Sequence, residues 1–183
     1  MADERKDRVA GSLPADSPCP SEAAAVKDTY EFLGFEGSYT HSIDSKGRLI
    51  IPTSFREPLG SRFAVAPSPD FKAVAIYTLE GWKARRDEML ALVKINAKVQ
   101  VLLDQFSKYS YVDCEADSQG RLLMPQKIRH WRLGDVKEVD INGATSYIRV
   151  IPKQESEEQD VRFDEMFPDP LGYMAEIQQG IKF

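Results

Sequence analysis

Residues 43–52 have the sequence IDSKGRLIIP, and residues 116–125, which lie 73 positions further along the chain, have the sequence ADSQGRLLMP. Over the thirteen aligned positions that begin at Asp44, seven residues are identical, which chance does not explain. Self-similarity at a fixed offset indicates two copies of one structural unit. The fold can therefore be predicted copy by copy, starting from this motif.

Each motif has the pattern of a turn between two strands. An alternating segment precedes it, at residues 35–43 in the first copy and 109–116 in the second. In each turn an Asp can accept hydrogen bonds from the amides that follow it, and a Gly tolerates a positive φ. These turn residues are Asp44, Gly47, Asp117 and Gly120. The three apolar residues after each arginine predict a strand that is buried on both faces.

A proline after each apolar triplet and a glycine some residues later predict short helices at 52–59 and 125–133. Further strands are predicted at 62–66, 73–78, 136–141 and 147–151, and amphipathic helices at 79–93 and 99–106. A unit of about 40 residues is too small to close a core alone. The two copies are therefore predicted to intertwine into one barrel, giving an α+β fold that is mainly β, with intervening amphipathic helices.

The ends of the chain differ from the middle in composition and charge. We expect unit 1 at residues 35–78, a helical linker at 79–106 and unit 2 at 109–152. Residues 1–31 are predicted to be a flexible tail, and residues 153–183 an acidic extension with a short helix at 171–179. The net charge is −5, yet residues 32–152 hold 17 basic and 14 acidic side chains. Because a polyanion responds to the local field, this acidity does not exclude DNA binding.

The residues argue against catalysis, a metal site and a membrane location. The two histidines, His41 and His130, belong to no catalytic or zinc-binding motif, and Cys19 and Cys114 are 95 positions apart. A Cys114–His130 dyad is conceivable, but one residue lies in a predicted strand and the other in a helix. No apolar run is long enough to span a bilayer or to act as a secretory signal. We expect a cytoplasmic protein that is not an enzyme and has no cofactor, metal or small-molecule substrate.

The arginines that follow the turns are the best candidates for a binding function. Arg48 lies next to Lys46, and Arg121 next to Gln119. A guanidinium offers forked donors that suit phosphates and guanine edges, and two equivalent loops match the symmetry of a duplex. The alternative is structural: the aspartates cap their turns and the arginines pair with them. For the aspartates the structural role is favoured, and for the arginines DNA binding.

At these residues the chain resembles the MraZ family of bacterial transcriptional regulators, which are built from two tandem AbrB-like (SpoVT-AbrB) units. The resemblance covers residues 35–151, about two thirds of the chain. It rests on F-x-G at residues 35–37, I-D-S-K-G-R-L-I-I-P-x-x-F-R at 43–56, I-Y-x-x-E-x-W at 76–82 and E-x-D-x-x-G-R at 115–121.

The resemblance implies a swapped-hairpin, double-split β-barrel shared by the two copies, and a ring-shaped homo-oligomer. It also implies a nucleoid-associated repressor of the division and cell-wall operon that binds direct repeats in promoter DNA. The family's DNA-contacting arginines correspond to Arg48 and Arg121, with Lys46 and Gln119 beside them. The rival interpretation is an oligomeric, antitoxin-like module that holds another protein and has no specific DNA binding. Independently, one pair of arginine loops makes few phosphate contacts, so avidity favours an assembly well above a dimer.

Overall fold

The computed structural model describes residues 34–180, which contain eight strands and six helices. The strands are β1 (Ser38–Ser42), β2 (Arg48–Ile50), β3 (Arg62–Pro67), β4 (Val74–Thr78), β5 (Tyr111–Glu115), β6 (Arg121–Leu123), β7 (Glu138–Gly143) and β8 (Ile148–Pro152). The helices are α1 (Thr53–Leu59), α2 (Leu79–Val93), α3 (Val99–Lys108), α4 (Gln126–Arg132), α5 (Lys153–Met166) and α6 (Pro170–Gly180). The flexible tail predicted at residues 1–31 lies outside the described residues.

Both copies of the repeat fold into two strands, a helix and two further strands. Pro52 and Pro125 directly precede α1 and α4, where the fixed φ of proline suits the start of a helix. Gly60 follows α1 with a φ of 80°, and its N–H donates to the carbonyls of Arg56 and Glu57. The local elements predicted from the repeat are therefore present.

Strands of the two copies pair with each other. Six strands form one sheet in the order β1-β7-β8-β4-β3-β5, and every pair is antiparallel. Strand β1 of the first copy pairs with β7 of the second, and β5 of the second copy pairs with β3 of the first. When the copies are interchanged, the order reads the same from the other edge. The sheet therefore has a pseudo-twofold axis between β4 and β8.

Strands β2 and β6 form a separate two-stranded antiparallel ladder, which we call the β-ribbon. Leu49 pairs with Leu122 at its centre, and both side chains are fully buried. Ile50 is 42% exposed and Leu123 is 62% exposed, so the prediction that these strands are buried on both faces is wrong. One face of the ribbon therefore covers the core, and the other face carries these partly exposed side chains.

The six-stranded sheet is covered on both faces. One core cluster contains Val65, Val74 and Ile76 from the sheet together with Phe55 of α1 and Ile128 of α4. Residues of opposite parity, such as Ala66, Ala75 and Tyr77, pack instead against Met89 of α2 and Phe106 of α3. Because successive strand side chains point to opposite faces, β3 and β4 are buried almost throughout.

The linker and the C-terminal region differ from expectation in their helices. In α2 only Met89 is buried, while Leu90 and Leu92 are exposed, so this helix is less amphipathic than predicted. The helix expected at 171–179 is present as α6, but α5 was not predicted. A mixed fold of helices and antiparallel strands is confirmed. The description as mainly β is wrong, because helices contain more of the described residues than strands do.

Within residues 34–180, no helix combines the length and the apolar character that crossing a membrane would require.

Candidate nucleic-acid interface

The candidate site begins with two matching loops, residues 44–48 (the Asp44 loop) and residues 117–121 (the Asp117 loop). In the first, Oδ1 of Asp44 accepts hydrogen bonds from the backbone N–H groups of Lys46 and Arg48, both at 2.9 Å. In the second, Oδ1 of Asp117 accepts from Gln119 at 2.9 Å and from Arg121 at 3.0 Å. Each aspartate thus closes its turn through the amides that follow it.

The glycine of each loop has the backbone conformation that the turn needs. Gly47 has a φ of 79° and Gly120 a φ of 77°, where a Cβ atom would be unfavourable. Their N–H groups donate to the carbonyls of Asp44 and Asp117, in each case at 2.8 Å. The same turn is therefore built twice.

Each loop is also held by the opposite copy. The carbonyl of Gly47 accepts from Met124 N–H at 3.0 Å, and the carbonyl of Gly120 accepts from Ile51 N–H at 2.9 Å. The guanidinium of Arg129 lies against Gly47, and that of Arg56 lies against Gly120, each in the space that a Cβ atom would occupy. Arg56 and Arg129 are identical residues at equivalent positions of the repeat, but the motif alone predicted no role for either of them.

The other carboxylate oxygen of each aspartate binds the arginine at the end of its own loop. Arg48 Nε lies 2.6 Å from Asp44 Oδ2, and Arg121 Nε lies 2.7 Å from Asp117 Oδ2. In both pairs the arginine side chain is 31% exposed and the aspartate 37%. The Asp–Arg ion pair that is expected if these residues only stabilise the turns is therefore present in both copies.

These ion pairs orient the guanidinium groups without using all of their donors. Only Nε of Arg48 and of Arg121 is engaged; among residues 34–180 the terminal nitrogens have no hydrogen-bond acceptor. The same loops also favour the charged form of each aspartate. The hydrogen bond from the backbone N–H of Arg48, and to a smaller extent the one from its guanidinium, lowers the pKa of Asp44. Arg121 lowers the pKa of Asp117 in the same way. Two fixed arginines thus keep free, forked donors.

The β-ribbon brings the arginines together and separates the loop tips. Arg48 pairs with Leu123, and Arg121 pairs with Ile50, so the arginines are diagonal neighbours on one face. Diagonal positions of an antiparallel pair are about 7–8 Å apart. Because the strands are antiparallel, exposed Lys46 and exposed Gln119 lie near opposite ends of the ribbon.

Other groups considered for chemistry are dispersed. His41 lies on β1 opposite Val139, and His130 lies exposed in α4. Burial raises the pKa of the Cys114 thiol, which disfavours the reactive thiolate. Among the described residues, no three His, Cys, Asp or Glu side chains are grouped so that they could hold a metal ion.

The chain matches a protein family over its first copy and is similar to several named proteins over about two thirds or more of its length. Residues 35–98 match the family model described as "MraZ protein, putative antitoxin-like". A protein of Caldanaerobacter subterraneus subsp. tengcongensis is 36% identical over 135 residues, covering 71% of this chain and 92% of its own length. A protein of Moorella thermoacetica is 34% identical over 124 residues, covering 68% and 85% respectively. One of Thermoanaerobacter pseudethanolicus is 36% identical over 144 residues, covering 77% and 96%. All three are named "Transcriptional regulator MraZ".

Proposed function

The chain belongs to the MraZ family, and from this premise we propose that it is a transcriptional regulator that binds specific sequences of double-stranded DNA. The observation that carries the proposal is the pair of arginines on the β-ribbon, each fixed through Nε by its own loop aspartate. We further propose that it represses the division and cell-wall operon from direct repeats in the promoter, as a nucleoid-associated protein. This operon and these repeats come from the family resemblance.

The dimensions and chemistry of the ribbon support DNA as the partner. The major groove of B-DNA admits a two-stranded β-ribbon, and an arginine can bind O6 and N7 of guanine with two hydrogen bonds. Arg48 and Arg121 offer their terminal nitrogens in a fixed orientation, which reduces the entropy lost on binding. We assign further DNA contacts to Lys46 and Gln119, which are exposed in the same loops.

We propose that the two AbrB-like units, residues 35–78 and 109–152, form the swapped-hairpin double-split barrel of the family, joined by the linker 79–106. The pairing of β1 with β7 and of β5 with β3 supports this arrangement, since each copy completes the sheet of the other. The β2–β6 ladder, contributed equally by both copies, supports it as well.

We also propose a ring-shaped homo-oligomer. One molecule presents one pair of arginines, and few phosphate contacts give weak binding at cellular salt. Several linked sites raise the effective concentration of each for neighbouring DNA repeats. Light scattering tests this proposal: a mass of 20.7 kDa, that of one chain, at every working concentration would contradict it.

A second candidate function is an antitoxin-like module that binds a protein and has no specific DNA target. The match to a family described as antitoxin-like supports this candidate. The acidic helix α5, with Glu157, Glu158 and Asp160 exposed, would suit a basic protein partner better than DNA.

Selection of bound fragments from the organism's own DNA separates the two functions. A specific regulator enriches a repeated promoter element, whereas a protein-binding module enriches none. Variants Arg48→Ala and Arg121→Ala should lose the enrichment. Arg162→Ala is the matched control, because Arg162 is also paired with a carboxylate four residues earlier, Glu158, at 3.2 Å. Enrichment that survives both loop substitutions would contradict the assigned site.

A further inference from the structure

Four side chains share the outer face of the β-ribbon: Arg48, Ile50, Arg121 and Leu123. Side chains alternate along a strand, so Leu49 and Leu122 point into the core while their neighbours point outward. The register places Arg48 beside Leu123 and Ile50 beside Arg121. The outer face is therefore a small checkerboard of two cations and two aliphatic groups.

The aliphatic members are not needed for the core. Ile51 and Met124, the next residues along the chain, are buried and supply the packing at the ends of the ribbon. Single exposed apolar residues are common on protein surfaces. Here, however, the exposure falls on equivalent positions of both copies, between arginines whose terminal nitrogens have no acceptor among the described residues.

We propose that Ile50 and Leu123 are specificity residues that contact the 5-methyl groups of thymine in the major groove. This inference rests on the proposed function. It adds apolar recognition of A·T pairs to the hydrogen bonding of the arginines. Thymine is the DNA base with a methyl group on its major-groove edge, and apolar side chains contact it there.

The spacing on the ribbon supports simultaneous contacts. Directly opposite residues of an antiparallel pair have Cβ atoms about 4.5–5.5 Å apart. Successive base pairs along a DNA strand are about 3.4 Å apart. An arginine on guanine would therefore place the opposite aliphatic side chain over a nearby base pair of the same groove.

The test uses the duplex that the wild-type protein enriches from a random-sequence pool. It is synthesised once with thymine and once with deoxyuridine, which has the same hydrogen-bonding groups but no 5-methyl group. Wild-type protein should bind the thymine duplex more tightly, by about fourfold for each methyl group that it buries. Ile50→Ser combined with Leu123→Ser should weaken binding to the thymine duplex and bring the ratio of the two affinities close to one.

Two control variants accompany this measurement. Val101→Ser replaces an apolar side chain that is 69% exposed on α3, away from the ribbon, and should keep the wild-type ratio. Ile50→Val combined with Leu123→Ile should keep most of the wild-type preference for the thymine duplex, because both side chains remain apolar. Thermal melting and light scattering of all variants check that the ribbon and the assembly are intact.

The outcomes separate this inference from the proposed function. If no duplex is enriched, or if Arg48→Ala and Arg121→Ala bind normally, the proposed function or its site fails and the inference fails with it. If the arginine variants lose binding while wild-type protein does not distinguish thymine from deoxyuridine, only the inference is overturned. It is also overturned if the double serine variant keeps the wild-type ratio of affinities for the thymine and deoxyuridine duplexes. The same holds if the only property that this variant changes is the mass of the assembly.

Discussion

Arg56 of the first copy lies against Gly120 of the second, with its guanidinium where a side chain on that glycine would begin. Its Nε donates to the carbonyl of Ile51 at 2.8 Å, and the N–H of Ile51 donates to the carbonyl of Gly120 at 2.9 Å. The helix of one copy thus fixes the loop of the other, and Arg129 has the equivalent place against Gly47.

Gly120→Ala should destabilise the protein by about 1.5–3.5 kcal/mol, because the new Cβ atom lies at a positive φ and displaces the Arg56 guanidinium from its hydrogen bond to the carbonyl of Ile51. Gly134→Ala is the control: its φ of 60° is also positive, but the space around it is open. Gly134→Ala should lower the free energy of unfolding by only about 1–2 kcal/mol. Urea unfolding measures both. Equal losses in the free energy of unfolding would show that the Arg56 contact does not contribute to stability. Strictly additive losses for Arg56→Ala combined with Gly120→Ala would show the same.

Arg48→Ala and Arg121→Ala should change the free energy of unfolding by no more than about 0.5 kcal/mol, because both side chains are partly exposed and their ion pairs are solvated. DNA affinity should fall by about 1–3 kcal/mol with relaxed sequence preference if the arginine binds guanine. A phosphate contact would instead weaken all sequences and reduce the salt slope by about one unit. Arginine variants that melt early and bind DNA normally would make the pair purely structural.

Asp44→Ala should have the opposite balance of effects. The substitution removes the acceptor for two backbone amides and for Arg48 Nε, so the melting temperature should fall by a few degrees. DNA affinity should fall only because the freed arginine is less well oriented. Asp117→Ala is the equivalent variant of the second copy. A fall in affinity as large as that of Arg48→Ala, at unchanged melting temperature, would contradict this prediction.

The acid sensitivity of the protein should depend partly on Asp44 and Asp117. Because the pKa of each is lowered in the folded state, their stabilisation is present above the ordinary value of 3.8 and is lost as pH falls through the lowered values. Wild-type protein should therefore be more stable than Asp44→Asn with Asp117→Asn near neutral pH, and this advantage should shrink as pH approaches 3. Denaturant unfolding at several pH values measures it, and an advantage independent of pH would refute the assignment.

The repeat motif allowed the turns, the short helices and most strands to be predicted, because Asp, Gly and Pro act on neighbouring backbone atoms. The role of Arg56 was missed, because it depends on a contact with a loop 64 positions away. The α5 helix was missed, since its charged sequence lacks an apolar period. The burial of Ile50 was wrongly predicted, because an apolar triplet does not distinguish a strand inside a core from one with an outward-facing aliphatic side chain.

The near-symmetry of the sheet has a consequence for orientation on DNA. Two separate, identical chains would present identical loops, and the site that matched them would be a palindrome. Here one chain supplies both loops, and Lys46 at one end of the ribbon corresponds to Gln119 at the other. A duplex bound along this ribbon would meet a cation at one end and a neutral amide at the other. On the proposed function, the DNA-binding surface therefore has a polarity, and neighbouring molecules would all be able to point the same way along DNA.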